Sequence, residues 1–505
     1  MSLICPWCRG ADWPPLKGSH GADGKRLSTR GGGISSIAPI KHFLLVLAFL
    51  IGGLFPAGAV DWPLCVEAED LEFAGDAAFM RDGAGYSGLG FVRIRAAPDS
   101  SVIWRVTVAE AGIYRLQAMV AAPYGSKGYL LEVNGQAQGG FFRGSDELLA
   151  RSLGLVELRA GENVISLGRG WGHYDIDYLQ LAPAEPYAPP LPVPAALSDP
   201  QATPEAKALC VRLCVAYGQG TISGQYRTFG QASFLEAEGV QATSGKYPVM
   251  HGADLMPFSP SFVEHEPPPA KLIDDLVEAG KAGHPILLMW HWTLPTPADL
   301  PYYKGFHKMP GAFDLGQALQ PGTPGYARLL SDLDAIAIVL HRFQDEKIPV
   351  LWRPLHEADG AWFWWGGSGP EAFQQLWRLV HQRLTERNGL HNLIWVYSSS
   401  DALDLTWYPG DDVVDIVAPD IYSTNLHDPL TEPWEHLQKR FDGCKLLALG
   451  EVGGVPDIGH MHRLGARWSF FLSWTEGLGP ASMAPADVRE IYNDPKMVTF
   501  EKWRN

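Results

Sequence analysis

Pro349-Val350-Leu351-Trp352-Arg353-Pro354-Leu355-His356-Glu357 runs mostly apolar and turns polar at its end. A short apolar run bounded by a breaker reads as a strand buried on both faces. Seven other runs have the same form, at 221–225, 248–254, 285–291, 392–398, 414–422, 445–451 and 468–474. Amphipathic, helix-like segments lie between them, among them 270–282, 326–344, 371–385 and 434–440. Eight strands alternating with helices predict an α/β chain that closes into a (β/α)8 TIM barrel. Polar and aromatic residues cluster where the strands end: Asp254, His291, His356, Glu357, Asp420, Tyr422, Glu451 and Trp474. A barrel carries its active site at those carboxyl ends.

Upstream, the period changes. Residues 64–183 show short alternating segments at 90–96, 102–108, 113–120, 129–133 and 163–167, broken by turns such as Asn134-Gly135. This spacing predicts an all-β sandwich of jelly-roll type. Prolines crowd 184–204, which reads as a stiff, extended linker before a barrel domain at 205–500. Residues 43–55 are apolar, follow Lys41 and end in Ala57-Gly58-Ala59. That is the form of an export signal over 1–59, placing the protein outside the cell or in the periplasm or cell envelope. The alternative is an N-terminal anchor, although the apolar run is short for a membrane span. No stable span is expected after processing.

The chain has 505 residues, 46% hydrophobic and 19% charged, so it can bury a large core. Its net charge of −16 argues against nucleic acid, whose phosphates need Lys and Arg. The 18 Trp suit sugar, because the apolar face of a pyranose stacks on an indole. Of six Cys, Cys5 and Cys8 form a lone CxxC in the segment expected to be removed. Cys65, Cys210, Cys214 and Cys444 remain, with no pairing assigned. A monomer is expected.

Cleaving a glycosidic bond needs a proton for the departing oxygen and a group that stabilises an oxocarbenium-like centre. Two facing carboxyls do both. Glu357 and Glu451 end the fourth and seventh strands, across the barrel mouth from each other. Glu357 is followed by Ala358-Asp359-Gly360-Ala361-Trp362-Phe363-Trp364-Trp365-Gly366. So many aromatics after a strand end suit a cleft wall better than an open surface. Glu451 lies in Leu449-Gly450-Glu451-Val452-Gly453-Gly454, whose small residues let substrate approach the backbone. Apolar neighbours should raise Glu357 so that it starts protonated, and Glu451 must start ionised. Arg353 either holds a carboxylate ionised or makes an ion pair inside the barrel. Trp474 is either a sugar platform or core. Asp254 either binds a sugar hydroxyl or caps the rim. The chemistry needs no cofactor.

The Arg-Pro-Leu-His-Glu…Trp-Phe-Trp-Trp-Gly string resembles the acid/base motif of glycoside hydrolase family 26, a β-mannanase family. Trp290-His291, Asp420-x-Tyr422 and Gly450-Glu451 follow in family order. The resemblance implies that Glu357 protonates the leaving oxygen and Glu451 forms the glycosyl-enzyme. It also implies that His291, His356, Trp362 and Tyr422 line the subsite of the attacked sugar. Two departures stand out. Asp359 occupies a place where relatives often carry Asn, and Trp474 is followed by Thr475-Glu476 rather than Arg-Asn. Val66-Glu67-Ala68-Glu69, Gly85-Tyr86-Ser87-Gly88-Leu89-Gly90 and Tyr174-Asp175-Ile176-Asp177 resemble carbohydrate-binding module family 35. That implies a structural calcium on Glu67, Glu69 and Asp177. Tyr86, Tyr124 and Trp171 are candidate sugar contacts of the module. The expected activity is a retaining endo-β-1,4-mannanase acting on mannan, galactomannan or glucomannan. The rivals are a mannobiose-releasing exo-enzyme, a β-1,3-xylanase, a mixed-linkage β-glucanase and a catalytically dead polysaccharide-binding protein.

Overall fold

The buried strands Ile286–Trp290, Val350–Pro354 and Leu393–Tyr397 carry side chains that are buried at every position. Such strands must be covered on both faces, and a closed parallel barrel ringed by helices does this. The computed structural model describes residues 62–229, 234–294, 305–308, 313–423, 425 and 427–505. The expected export segment at 1–59 lies outside the described residues.

The parallel strands run in the order Gly224–Tyr226, Met250–Asp254, Ile286–Trp290, Val350–Pro354, Leu393–Tyr397 and Ile416–Val417, and then Leu446–Leu447. The sixth strand breaks at Ala418-Pro419 and resumes as Asp420–Ile421; the seventh resumes as Leu449–Val452. These second halves pair with each other, and Leu449–Val452 pairs on to Phe471–Ser473, which returns to Gly224–Tyr226. The ring therefore closes with eight strands, each overlapping a run the sequence predicts, with Tyr226 and Val452 extending one residue past theirs. Pro419 has no N–H for the ladder, which explains the break in the sixth strand.

Helices Leu235–Ser244, Leu272–Lys281, Pro324–Asp345, Pro370–Gln382, Thr431–Phe441 and Ile458–Leu464 pack around the ring. Several starts are capped. Thr323 accepts from the Tyr326 N–H and Asp457 from that of His460, so two otherwise orphaned donors are satisfied. Helix Pro204–Ala216 carries Cys210 and Cys214 one turn apart, and both are free thiols, as are Cys65 and Cys444. No helix among the described residues is long and apolar enough to cross a membrane.

Residues 64–183 form two antiparallel sheets packed face to face. One joins Ala78–Met80, Phe91–Ile94, Tyr174–Pro183, Gly112–Ala122 and Ser145–Leu158, with Leu64–Glu67 along Tyr174–Pro183. The other joins Glu72–Ala74, Ser101–Val108, Gly161–Trp171, Lys127–Val133 and Gln136–Phe142.

The linker differs from a simple spacer. It is extended, but it lies on the barrel: Tyr187 N–H donates to Leu464 O at 3.0 Å and Leu191 N–H to Asp442 at 2.8 Å. The module is docked as well. Glu435 on helix Thr431–Phe441 accepts from Arg115, Ser152 and Tyr187, each at 2.8 Å. Gly154, at φ +86°, has no room for a side chain, since a Cβ there would lie 2.4 Å from the Thr431 hydroxyl.

Candidate active site

The fourth strand stops at Pro354, three residues earlier than predicted, because the backbone turns left-handed at Leu355 (φ 55°) and again at Glu357 (φ 51°). Such conformations in non-glycine residues cost about 1–3 kcal/mol each and cluster at functional sites. The Glu357 N–H donates to Ser398 O at 3.0 Å, which anchors the turn to the neighbouring strand. Trp362 Nε1 donates to Glu357 Oε2 at 3.0 Å, and both residues border the mouth. Asp359 faces away from this pair. It accepts the Ser400 N–H at 2.6 Å and the Asp404 N–H at 3.3 Å, so the departure from Asn ties two loops together.

Opposite, Glu451 is buried in the seventh strand. Tyr422 donates its hydroxyl to Glu451 Oε2 at 2.6 Å, and Arg353 Nη2 donates to Glu451 Oε1. Arg353 is wholly buried, and its Nη1 also donates to Asp420 at 2.7 and 2.9 Å and to Ser398 Oγ at 2.9 Å. The two sequence readings of Arg353 are thus one: it is an ion pair inside the barrel and also a direct partner of Glu451. Burial raises the Asp420 carboxyl above its ordinary range, against the pull of Arg353 and Ser398. Carboxyl oxygens of Glu357, Asp420 and Glu451 lie within 4.8 Å of one another. Three acids so close could hold a cation, but here the Arg353 guanidinium supplies the positive charge.

Gly450 has a different reason from the one expected of it. A Cβ there would lie 2.6 Å from both Ala418 O and an Asp420 carboxyl oxygen, so the glycine makes room for Asp420 rather than for substrate. Asp254 is likewise occupied by protein. Its carboxylate accepts from His291 Nδ1 at 2.8 Å, from His291 N–H at 3.0 Å and from Met256 N–H at 2.9 Å. His291 Nε2 then lies 3.1 Å from His356 Nε2. Burial, with His291 and Arg353 nearby, pushes His356 well below the usual histidine range, so the ring is neutral. Trp474 packs against Tyr226 at 5.1 Å and lines a cleft together with Asp254, His291, Met289 and Phe306.

Sequence reasoning passed over Ser398 and Tyr226 and placed Asp420 among the strand-end residues without giving it a role. Tyr226 donates its hydroxyl to Gly450 O at 3.2 Å, and its ring faces Arg353. All three stand at or just past strand ends, the signal that exposed the other site residues.

In the module, Glu67, Glu69 and Asp177 converge on one loop. Ser87 Oγ donates to Glu67 at 2.8 Å, the Ser87 N–H to Asp177 at 2.9 Å, and the Leu89 N–H to Glu69 at 2.5 Å. Glu69 Oε2 is buried without a hydrogen-bond partner. Burial raises the Asp177 carboxyl, and repulsion from Glu67 and Glu69 adds to the effect. Hard oxygen donors with an orphaned lone pair fit a calcium ion. Tyr86 is half-buried beside Phe91 (5.9 Å), Tyr124 is exposed, and Trp171 meets Phe141 edge-on at 6.2 Å.

A parallel barrel with two carboxyls this close at its carboxyl-end mouth has the arrangement that retaining glycoside hydrolases require, about 5–5.5 Å between the acids. The description "Glycosyl hydrolase family 26" matches residues 198–502, and "Carbohydrate binding module (family 35)" matches 65–184. The chain belongs to glycosyl hydrolase family 26. It is 32% identical over 444 residues to a mannan endo-1,4-β-mannosidase of Thermothelomyces thermophilus, covering 86% of this chain and 89% of the relative. Among solved structures, it resembles a Podospora anserina GH26-CBM35 β-(1,4)-mannanase, with TM-score 0.61 and 33% identity over 88% of this chain and 99% of that one. A ruminal GH26 endo-β-1,4-mannanase superposes with TM-score 0.63 and 28% identity over 88% of this chain and 98% of that one.

Proposed function

We propose that the protein is a retaining endo-β-1,4-mannanase acting on mannan, galactomannan or glucomannan. The observation that carries this is the closeness of the Glu357 and Glu451 carboxyls, within 4.8 Å, in a family whose similar members are named mannanases. In this reading protonated Glu357 gives its proton to the glycosidic oxygen while a Glu451 oxygen attacks the anomeric carbon. The C–O bond to the leaving sugar breaks, and a glycosyl ester forms on Glu451. Glu357, now a carboxylate, takes a proton from water as that water attacks the same carbon, which releases Glu451 and restores the original configuration. Trp362 pins Glu357 Oε2, which selects the oxygen that carries the proton. Arg353 and Tyr422 aim Glu451. His291, held by Asp254, and His356 behind it shape the wall of the reacting subsite, with Trp474 opposite.

The same reading takes in the module as a sugar-binding domain whose Glu67, Glu69 and Asp177 hold a structural calcium, and residues 1–59 as an export signal. Product profiles on galactomannan, lichenan and β-1,3-xylan test the activity. Early release of mannooligosaccharides of several lengths from galactomannan is expected. Cleavage of lichenan or xylan with none of mannan overturns the substrate assignment, and mannobiose alone from the start overturns the endo mode.

A further inference from the structure

A second hollow opens where the module meets the barrel, and Tyr422 links it to the catalytic site. A cavity of about 200 Å³ lies along the seam, lined by Trp171, Phe141 and Gly139 of the module and by Tyr422, Ile421 and Asp428 of the barrel. Tyr422 is also the residue whose hydroxyl holds Glu451. One hollow thus touches both Tyr422, a direct partner of Glu451, and Trp171, 251 residues earlier in the chain.

The module side of this hollow is built for a flat ring. Trp171 is 39% exposed. Its indole lies over Gly128, where a Cβ would come within 2.3 Å of the ring, so only glycine allows this pose. At Gly139 a Cβ would meet nothing within 4 Å, so the strand is bare and open there. A partly exposed indole beside a glycine shelf is the kind of surface on which a pyranose stacks. The volume is below the ~300–1,000 Å³ of pockets that engulf a whole ligand, and it suits one ring of a longer chain. The seam is fixed as well. Gly139 N–H donates to Asp428 at 3.2 Å, and Asn425 Nδ2 donates to Ala137 O at 2.6 Å. A sugar resting on Trp171 therefore sits at a set distance from Glu451, with none of the freedom of a linker.

We propose that Trp171 and Phe141 belong to the catalytic cleft and hold one hexopyranose ring of the same polysaccharide chain that is being cut. This rests on the mannanase reading of the barrel. It makes the module a contributor of a subsite, not only an independent anchor on the polymer.

The test uses the full chain and two substrates, mannohexaose, which is long enough to cross the seam, and an aryl β-mannobioside, which is not. In Trp171→Ala the ratio of kcat/KM on the long substrate to that on the short one falls about tenfold, the loss expected for one stacking platform. Gly139→Leu places a side chain in the open hollow and lowers the same ratio, and melting curves show that both variants are folded. If both folded variants bind insoluble mannan more weakly but keep the wild-type ratio, Trp171 serves a separate module site and the proposal is overturned. If the wild type cleaves neither substrate, the mannanase reading itself fails.

Discussion

The Tyr422 hydroxyl donates to Oε2 of Glu451 across 2.6 Å, in a pocket where both side chains are buried. A hydrogen bond to a charged group is worth about 1.5–3 kcal/mol. Tyr422→Phe keeps the ring and removes the donor. It is expected to lower kcat/KM on mannan roughly 10- to 100-fold, since each 1.36 kcal/mol is tenfold in rate. Steady-state kinetics check this, and a change within twofold removes the hydroxyl from the mechanism.

The two acids should separate chemically. Glu357→Ala is expected to spare aryl mannosides with good leaving groups far more than mannan, because only a poor leaving group needs the proton. Glu451→Ala is expected to abolish turnover and to be rescued by azide, giving a glycosyl azide of inverted configuration. Surviving activity without rescue removes Glu451 from the nucleophile role.

Arg353 is completely buried between two carboxylates, whereas Arg342 pairs with Asp274 at 2.8 Å on the surface with both side chains more than half exposed. Removing one partner of a buried pair costs about 3–5 kcal/mol, and an exposed pair is worth about 0–1 kcal/mol. Denaturant unfolding of Arg353→Met and Arg342→Ala should show that contrast. Equal effects would mean that Arg353 is not the charge that balances the barrel interior.

Asp332 gives a pH-dependent prediction. It is buried on helix Pro324–Asp345, accepts from Trp292 Nε1 at 2.7 Å, and burial pushes its carboxyl up from 3.8 to about 6. A carboxyl raised in the folded state contributes stability that is fully present below its unfolded value, near 4, and lost as pH rises through about 6. Asp332→Asn keeps an acceptor for the indole and cannot ionise. It is expected to add about 2 kcal/mol of stability at pH 7.5 and almost none at pH 4. Melting temperatures at the two pH values check the sign.

Calcium removal tests the module. Binding to the folded state alone raises stability by mass action. Adding calcium to chelator-treated protein should raise the melting temperature of the wild type and leave that of Glu69→Gln unchanged, because the variant loses the buried, unpartnered oxygen. An identical response in both would place the ion elsewhere.

The barrel was legible because a parallel strand covered on both faces is an unbroken apolar run, as in Ile286–Trp290. The strand Gln136–Phe142 was not, because Gly139 and Gly140 erase its alternation and its edge is supported by the barrel through Asp428. Ser145–Leu158 was missed because its first half is charged and its second half packs on both sides, partly against Thr431. The fourth strand was read too long, since nothing local marks Leu355 and Glu357 as left-handed.

The order of the eight strands, the two acids at their ends and the resemblance to family 26 were settled by residue identity and local period alone. Tertiary structure alone decided that Arg353 bridges Asp420 and Glu451, that Asp254 holds His291, and that the module leans on the barrel beside Tyr422. The physical reason is sequence distance. Arg353 reaches its two acids across 67 and 98 residues, and Arg115 reaches Glu435 across 320. A one-dimensional pattern states which face of an element is apolar, but chain closure decides which charges then meet.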